Sequence, residues 1–261
     1  WLVQKCGMIA ADAEKVQPPR RRPTYEEGVQ DWVNWRLFQT ERMNEYLGSL
    51  AECAKQTVRT AETFTCMTCC PVQTGSSMRG TDFFRIAKEM HIVGITLYLY
   101  PLGVSYTELS RVLDYAESAA ACFSKHAWLI EYNAGTDMTP REFEVETYAA
   151  IGSGFKGIMY YQWRADYAFD GSPEPNGFGM VYNNGTKTKK YDAAMKMHRM
   201  LHRHGKSLVD KERKKQGIAI LFSEHMNAYY DARCNGDIRN SWGGKEENIL
   251  NSMAVYRRFK K

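Results

Sequence analysis

Residues 127–163 read AWLIEYNAGTDMTPREFEVETYAAIGSGFKGIMYYQW. Two apolar runs, 127–131 and 155–163, flank a segment with helical periodicity. Neither run alternates apolar with polar residues. Near-continuous apolar runs are what a parallel sheet covered by other elements demands of its strands. Pro140 stands where a first helical turn tolerates a missing N–H, and Gly152 and Gly154 follow the last periodic residue. The stretch is a strand–helix–strand unit, and its first strand ends in an acid, Glu131. A carboxylate at the tip of an apolar strand is costly unless it is hydrogen-bonded, paired or needed.

The same unit recurs on both sides. A long helix is expected over 31–59, where Trp32, Trp35, Met43, Tyr46, Leu47, Leu50 and Val58 return at helical spacing. A short strand follows at 63–69. Thr81 is placed to cap a helix over 82–90, then come a strand at 92–100 closed by Pro101 and a helix at 106–123. After the quoted stretch, a fourth helix is expected over 187–204. Four consecutive strand–helix units mean either a doubly wound sheet or a (β/α)8 barrel of the TIM type. A doubly wound nucleotide fold wants a glycine-rich phosphate turn after a strand, and none of these strands has one. A barrel carries its chemistry at the C-terminal strand ends. There stand Tyr98 and Tyr100, Glu131 and Asn133, and Gln162, Trp163 and Arg164. The barrel is favoured, with strands five to eight present. Residues 1–214 are read as the C-terminal part of a catalytic barrel. A further apolar run begins at Gly217, so 215–261 is read as the beginning of a second α/β domain.

Composition supports a packed domain, with 44% hydrophobic and 13% aromatic residues among 261. The net charge of +5 comes largely from Arg20–Arg22, Lys211–Lys215 and the tail from Arg257. Those are short solvated runs without interleaved aromatics, which argues against a nucleic-acid surface. No apolar stretch is long enough to cross a membrane. Seven cysteines, an odd number, point to reduced thiols rather than a disulfide scaffold, and favour a cytoplasmic setting. Cys66, Cys69 and Cys70 lack a second ligand pair at finger spacing, so no metal site is assigned to them. The chain opens on Trp1 rather than Met, and its natural N-terminus is expected further upstream.

Two readings of Glu131 stand open on the residues alone. It is the nucleophile of a retaining glycosidase, whose two carboxyl groups flank the scissile bond, or it pairs with Arg164 or a Tyr hydroxyl to tie two strand ends together. The segments AWLIEYNAGT (127–136), YAAIGSGFKGIMYYQWR (148–164) and GFGMVYNNG (177–185) resemble the family 42 glycoside hydrolases, β-galactosidases of the clan of (β/α)8 retaining enzymes. DWVNWRLFQTERMNEYL (31–47), GTDFFRIAKEMHIVGITLYLYP (80–101) and GIAILFSEH (217–225) resemble the family's helix before strand five, its segment ending in strand six, and the start of its second domain. The resemblance implies a β-galactosidase-like enzyme that cleaves terminal β-glycosides by double displacement. In it Glu131 is the nucleophile at the end of strand seven. Trp163 is the aromatic floor under the sugar at the end of strand eight, beside Arg164, and Glu174 is a sugar-binding acid. Tyr100 and Asn133 complete the candidate substrate-binding set. No cofactor is implied. The partner is a carbohydrate substrate, and the parent is expected to form a homotrimer.

The chain departs from that pattern at three places. Gly177 stands where the family usually has His, NAGTDMTP (133–140) lacks a usual Trp, and Tyr98-Leu99-Tyr100-Pro101 replaces Asp-x-Tyr-Pro. Each shapes the sugar pocket, so the sugar stays open between galactose and another β-glycoside. The clan's acid/base lies at the end of strand four, commonly in an Asn-Glu pair. Asn44-Glu45 matches in letters but falls inside the long helix, and Glu26 and Glu27 fall in a loop. The acid/base is therefore expected upstream of Trp1, and the chain alone is expected to be weakly active and prone to self-association. The alternative is a non-catalytic sugar-binding barrel that kept Glu131.

Overall fold

A computed structural model describes residues 1–20, 23, 27–67, 80, 82–97, 106–132, 138–164, 177–211, 217 and 219–233. Two short helices, α1 (Leu2–Cys6) and α2 (Ala10–Ala13), precede the long α3 (Val29–Thr57). Then β1 (Phe64–Met67), α4 (Phe83–Glu89), β2 (Ile92–Leu97), α5 (Tyr106–Cys122), β3 (His126–Tyr132), α6 (Pro140–Gly152), β4 (Gly157–Tyr160), α7 (Tyr191–Val209) and α8 (Glu224–Arg233) follow in order.

The four strands form one parallel sheet in the order β1-β2-β3-β4. Each crossover steps one strand in the same direction. Because such crossovers are right-handed, the helices of consecutive units fall on one face of the sheet. A doubly wound sheet reverses its strand order and places helices on both faces; no reversal occurs here. The main core fills the helix-side face. Val93, Ile95, Leu97 and Leu129 from the strands pack with Phe83, Leu113, Phe143 and Met197 from the helices.

Local chemistry sets the helix ends. Asp82 caps α4, accepting from the N–H groups of Phe84 at 2.9 Å and Arg85 at 3.1 Å. The cap is Asp82, the residue that directly precedes the helix; Thr81, expected in that role, lies outside the described residues. Thr139 and Glu142 form a reciprocal capping box on either side of Pro140. At its far end α7 is held by Lys156, whose Nζ donates to the carbonyls of Leu208 (3.1 Å) and Lys211 (2.5 Å).

The opposite face of the sheet, here called the inner face, is shaped by two glycines. A Cβ on Gly94 would lie 2.5 Å from Ile130 Cδ1 and 2.8 Å from the Thr65 carbonyl oxygen, and one on Gly157 would lie 2.2 Å from Trp128 Cδ2. Ile130 and Trp128 therefore lie over the bare backbone of neighbouring strands. Gly94→Ala is expected to destabilise the fold by about 1–3 kcal/mol, the range for overpacking a filled site, because the Thr65 backbone cannot move aside as a side chain can. Urea denaturation of the two chains checks this.

The strand expected from Gly217 is not formed at 219–223. That segment has no partner strand among the described residues, and Leu221 is 91% exposed. Phe222 meets Tyr115 of α5 at 4.6 Å between ring centres, and α8 packs Ala228 and Ala232 on Val29, Trp32 and Val33 of α3.

Candidate active site at the C-terminal strand ends

In β3, Ala127 and Leu129 join the helix-side core, while Trp128 and Ile130 cover the inner-face glycines. Strict alternation would return Glu131 to the helix side. It does not return there, because β3 carries one extra residue. Leu129 pairs with Ile95 and Glu131 with Thr96 on one side; Leu129 pairs with Ile158 and Tyr132 with Tyr160 on the other. This is a β-bulge, a device that re-aims side chains next to functional sites. Glu131 thereby turns to the inner face, and Tyr132 takes the helix-side place that Glu131 would have filled. Tyr132 is fully buried there, stacked 5.3 Å from Phe143, and donates from its hydroxyl to the Phe143 carbonyl at 2.9 Å.

Glu131 is half-buried at the C-terminal end of β3. Cys66 of β1 shares the inner face, paired with Gly94 of β2. Partial burial first, then the nearby Glu131 carboxylate, push the Cys66 thiol up to about 12. The residue itself keeps an exposed surface.

At the same end of the sheet, Gln162, Trp163 and Arg164 leave β4. Met180 N–H donates to the Gln162 carbonyl and Val181 N–H to the Trp163 carbonyl, both at 2.9 Å, and Arg164 pairs with Val181 as an isolated parallel bridge. The returning segment 177–188 is thus stitched to the strand end. Between them lies an open cleft of about 410 Å³ lined by Gln162, Trp163, Arg164, Val181 and Gly185. Trp163 is 62% exposed, its ring edge-to-face with Tyr191 at 5.9 Å. A flat aromatic and a guanidinium on an open cleft suit a ligand with both apolar C–H faces and hydroxyls.

Gly177 opens the returning segment with φ 98°. A His there would be strained, since only glycine takes that backbone at no steric cost. Lys190 is buried beneath, its Nζ 3.3 Å from the Phe178 carbonyl and 3.5 Å from that of Gly177. Burial lowers its ammonium to about 8. These contacts pin the Gly177 turn from below.

Among the residues singled out by sequence, Glu131, Trp163 and Arg164 are brought to one end of one sheet. Tyr98, Tyr100, Asn133 and Glu174 lie outside the described residues, as do Glu26, Cys69 and Cys70. Glu45 sits on the solvent side of α3, paired with Arg42 at 2.5 Å, while Asn44 is buried with its side chain donating to the Thr40 carbonyl at 2.6 Å. That pair is helix surface and helix core, not a strand-end acid. Sequence reasoning missed that Cys66 and Glu131 share the inner face, because they lie 65 positions apart on strands that are not neighbours. No group of three or more His, Cys, Asp or Glu among the described residues could hold a metal ion. No described helix is long and apolar enough to cross a membrane.

Comparison with known proteins agrees with this architecture. A β-galactosidase from the psychrophilic Marinomonas ef1 superposes with a TM-score of 0.57 at 9% identity, covering 76% of this chain and 33% of its own. An endo-β-1,4-mannanase from Thermotoga petrophila aligns with a TM-score of 0.42 at 12% identity, over 75% of this chain and 44% of its own. The chain thus spans about a third of the length of that β-galactosidase. No curated protein matches the chain. The four-stranded parallel sheet is part of a TIM-type (β/α) barrel. The glycoside hydrolase 42 family, described as beta-galactosidase, matches residues 1–204, and the chain belongs to it.

Proposed function

We propose that this chain carries the nucleophile half of a retaining glycosidase site that acts on terminal β-galactosides or closely related β-glycosides. The observation that carries the reading is the bulge in β3, which turns Glu131 to the inner face at the C-terminal strand ends. In a barrel that is the catalytic mouth. In the first step a Glu131 carboxylate oxygen bonds to the anomeric carbon as the glycosidic C–O bond breaks. The leaving oxygen keeps the electron pair and takes a proton from a general acid. In the second step water attacks the glycosyl ester, gives up its proton to the same group acting as base, and frees the carboxylate with retention at the anomeric carbon. Trp163 would lie against the sugar, and Arg164 would bind its hydroxyls. Tyr100, Asn133 and Glu174 belong to the same proposal as further substrate-binding residues. The general acid is sought outside α3, since Glu45 faces solvent.

A dinitrophenyl 2-deoxy-2-fluoro-β-galactoside tests this. Its leaving group needs no protonation, and its fluorine slows hydrolysis of the glycosyl ester. The expected result is a mass adduct on the peptide holding Glu131, absent in Glu131→Gln. A folded chain that gains no adduct from the galacto, gluco or manno reagents would overturn the nucleophile assignment and favour the sugar-binding alternative.

A further inference from the structure

We propose that Lys190 is a positioning residue for the cleft, its buried ammonium holding the returning segment 177–181 by the backbone and so fixing the strand end that carries Trp163 and Arg164. This role rests on the glycosidase reading, in which those two side chains meet the sugar. Three observations carry it. The main chain of Lys190 belongs to the start of α7, where its carbonyl accepts from the Ala194 N–H at 2.9 Å, so the side chain springs from a fixed base. Its Nζ donates to the carbonyls of Phe178 at 3.3 Å and Gly177 at 3.5 Å. The Thr188 hydroxyl donates to the Met180 carbonyl at 2.8 Å and lies 3.3 Å from that of Gly179. Four consecutive carbonyls are thus held from the α7 side. The N–H groups of the same stretch serve the other side. Those of Met180 and Val181 donate to the Gln162 and Trp163 carbonyls, and Val181 bridges both Arg164 and Lys187.

The geometry explains why a lysine serves here. Lys190 is 1% exposed. Burying a cation costs more than burying an apolar side chain of the same length, so what the lysine contributes is its donors. An ammonium carries three of them on one atom, and the two carbonyls that follow the left-handed Gly177 backbone converge on that atom. The next residue, Tyr191, meets the Trp163 ring edge-to-face at 5.9 Å. Adjacent residues of one helix start therefore hold the backbone behind the cleft and the aromatic ring upon it. None of these contacts involves Glu131, which stands on β3. Loss of the ammonium is thus expected to weaken binding of the sugar rather than the bond-forming step.

Two measurements on the chain test the role. Lys190→Met keeps the length of the side chain and removes its donors. Hydrogen exchange at pH 7 reads the segment. The amides of Met180 and Val181 are expected to exchange about 10-fold faster in the Met chain, while those of Leu129 and Ile130 in β3 keep their rates. Labelling by the dinitrophenyl 2-fluoro-galactoside reads the cleft. The reagent concentration that gives half the limiting rate is expected to rise about 10-fold, the size of one modest hydrogen bond, with the limiting rate within about 3-fold. Lys190→Arg, which keeps a cation and its donors, is expected to restore both readouts to within about 3-fold. If the Met chain does not melt cooperatively, Lys190→Ala is read in its place, since the space it leaves admits water to the two carbonyls, and the same shifts are expected. Unchanged exchange at Met180 and Val181, an unchanged half-saturating concentration, or an Arg chain as impaired as the Met chain overturns the proposal. Failure of the glycosidase reading looks different. No label would reach Glu131 in the unmodified chain, yet exchange at Met180 and Val181 would still quicken in the Met chain. Lys190 would then stand as a structural tie, and its positioning role would fall with that reading.

Discussion

Glu131→Gln lowers the turnover of dinitrophenyl β-galactoside by roughly 10³-fold or more, the scale seen when a covalent nucleophile is removed. The amide is nearly isosteric and stays half-buried at the end of β3, so the fold is retained. The neutral amide cannot form the glycosyl ester. The activated aglycone matters to the design, because it leaves without a proton and so isolates the first bond-forming step from the acid. Release of dinitrophenolate, followed in absorbance, reads that step. Azide distinguishes loss of the nucleophile from general damage. In Glu131→Ala, whose methyl leaves room where the carboxylate stood, it is expected to restore aglycone release by attacking the anomeric carbon from the vacated side, giving a glycosyl azide of inverted configuration. A Gln chain that still releases dinitrophenolate at the original rate, with no glycosyl azide from the Ala chain, would show that Glu131 is not the nucleophile.

Glu146→Gln stabilises the chain at pH 8 by an amount on the order of a few kcal/mol. Glu146 lies on α6 with 3% of its surface exposed, and its Oε2 has no hydrogen-bond partner. Burial first, then the nearby Glu142 charge, raise its carboxyl to about 8 from 4.5, against a smaller lowering by the Tyr132 hydroxyl. The folded chain therefore keeps a proton that the unfolded chain has lost between those two pH values. Stability from this group is full below about 4.5, declines as pH rises, and is lowest above about 8. Gln carries no charge at any of these values, so its curve lacks the decline. Thermal unfolding of both chains from pH 5 to 9 is expected to show the Gln chain gaining steadily on the unmodified one up to about pH 8, then running parallel. Parallel curves over the whole range would mean that Glu146 titrates near its ordinary value.

These two carboxylates differ in what the sequence could say of them. Glu131 stood out because it ends an apolar run between chemistry-bearing residues on other strand ends. Glu146 sits inside an amphipathic helix, where one Glu reads like another, and its burial follows from how α6 docks on Tyr132. The capping residues divide in the same way. Pro140 was legible as a first-turn residue, whereas Asp82 as the cap of α4 depended on where the helix starts, and so on which N–H groups its carboxylate reaches. The run from Gly217 shows the converse limit. It has strand composition, but a strand needs a neighbour, and 219–223 finds none among the described residues.

The sequence by itself determined the order of the elements from α3 to α7, the parallel sense of the sheet and the end of it at which Glu131, Trp163 and Arg164 stand. Those follow from short-range rules: apolar runs, helical periodicity, caps, and the need of each crossover to pass through a helix. Only the tertiary structure decided which way Glu131 faces. Counting by twos from Leu129 sends the acid into the helix-side core and Tyr132 to the inner face. The bulge reverses both assignments, because β3 must satisfy hydrogen-bond registers with β2 and β4 at once and accommodates one extra residue in doing so. That register is set between strands, by backbone groups identical in every residue, and leaves no mark in the local order of side chains.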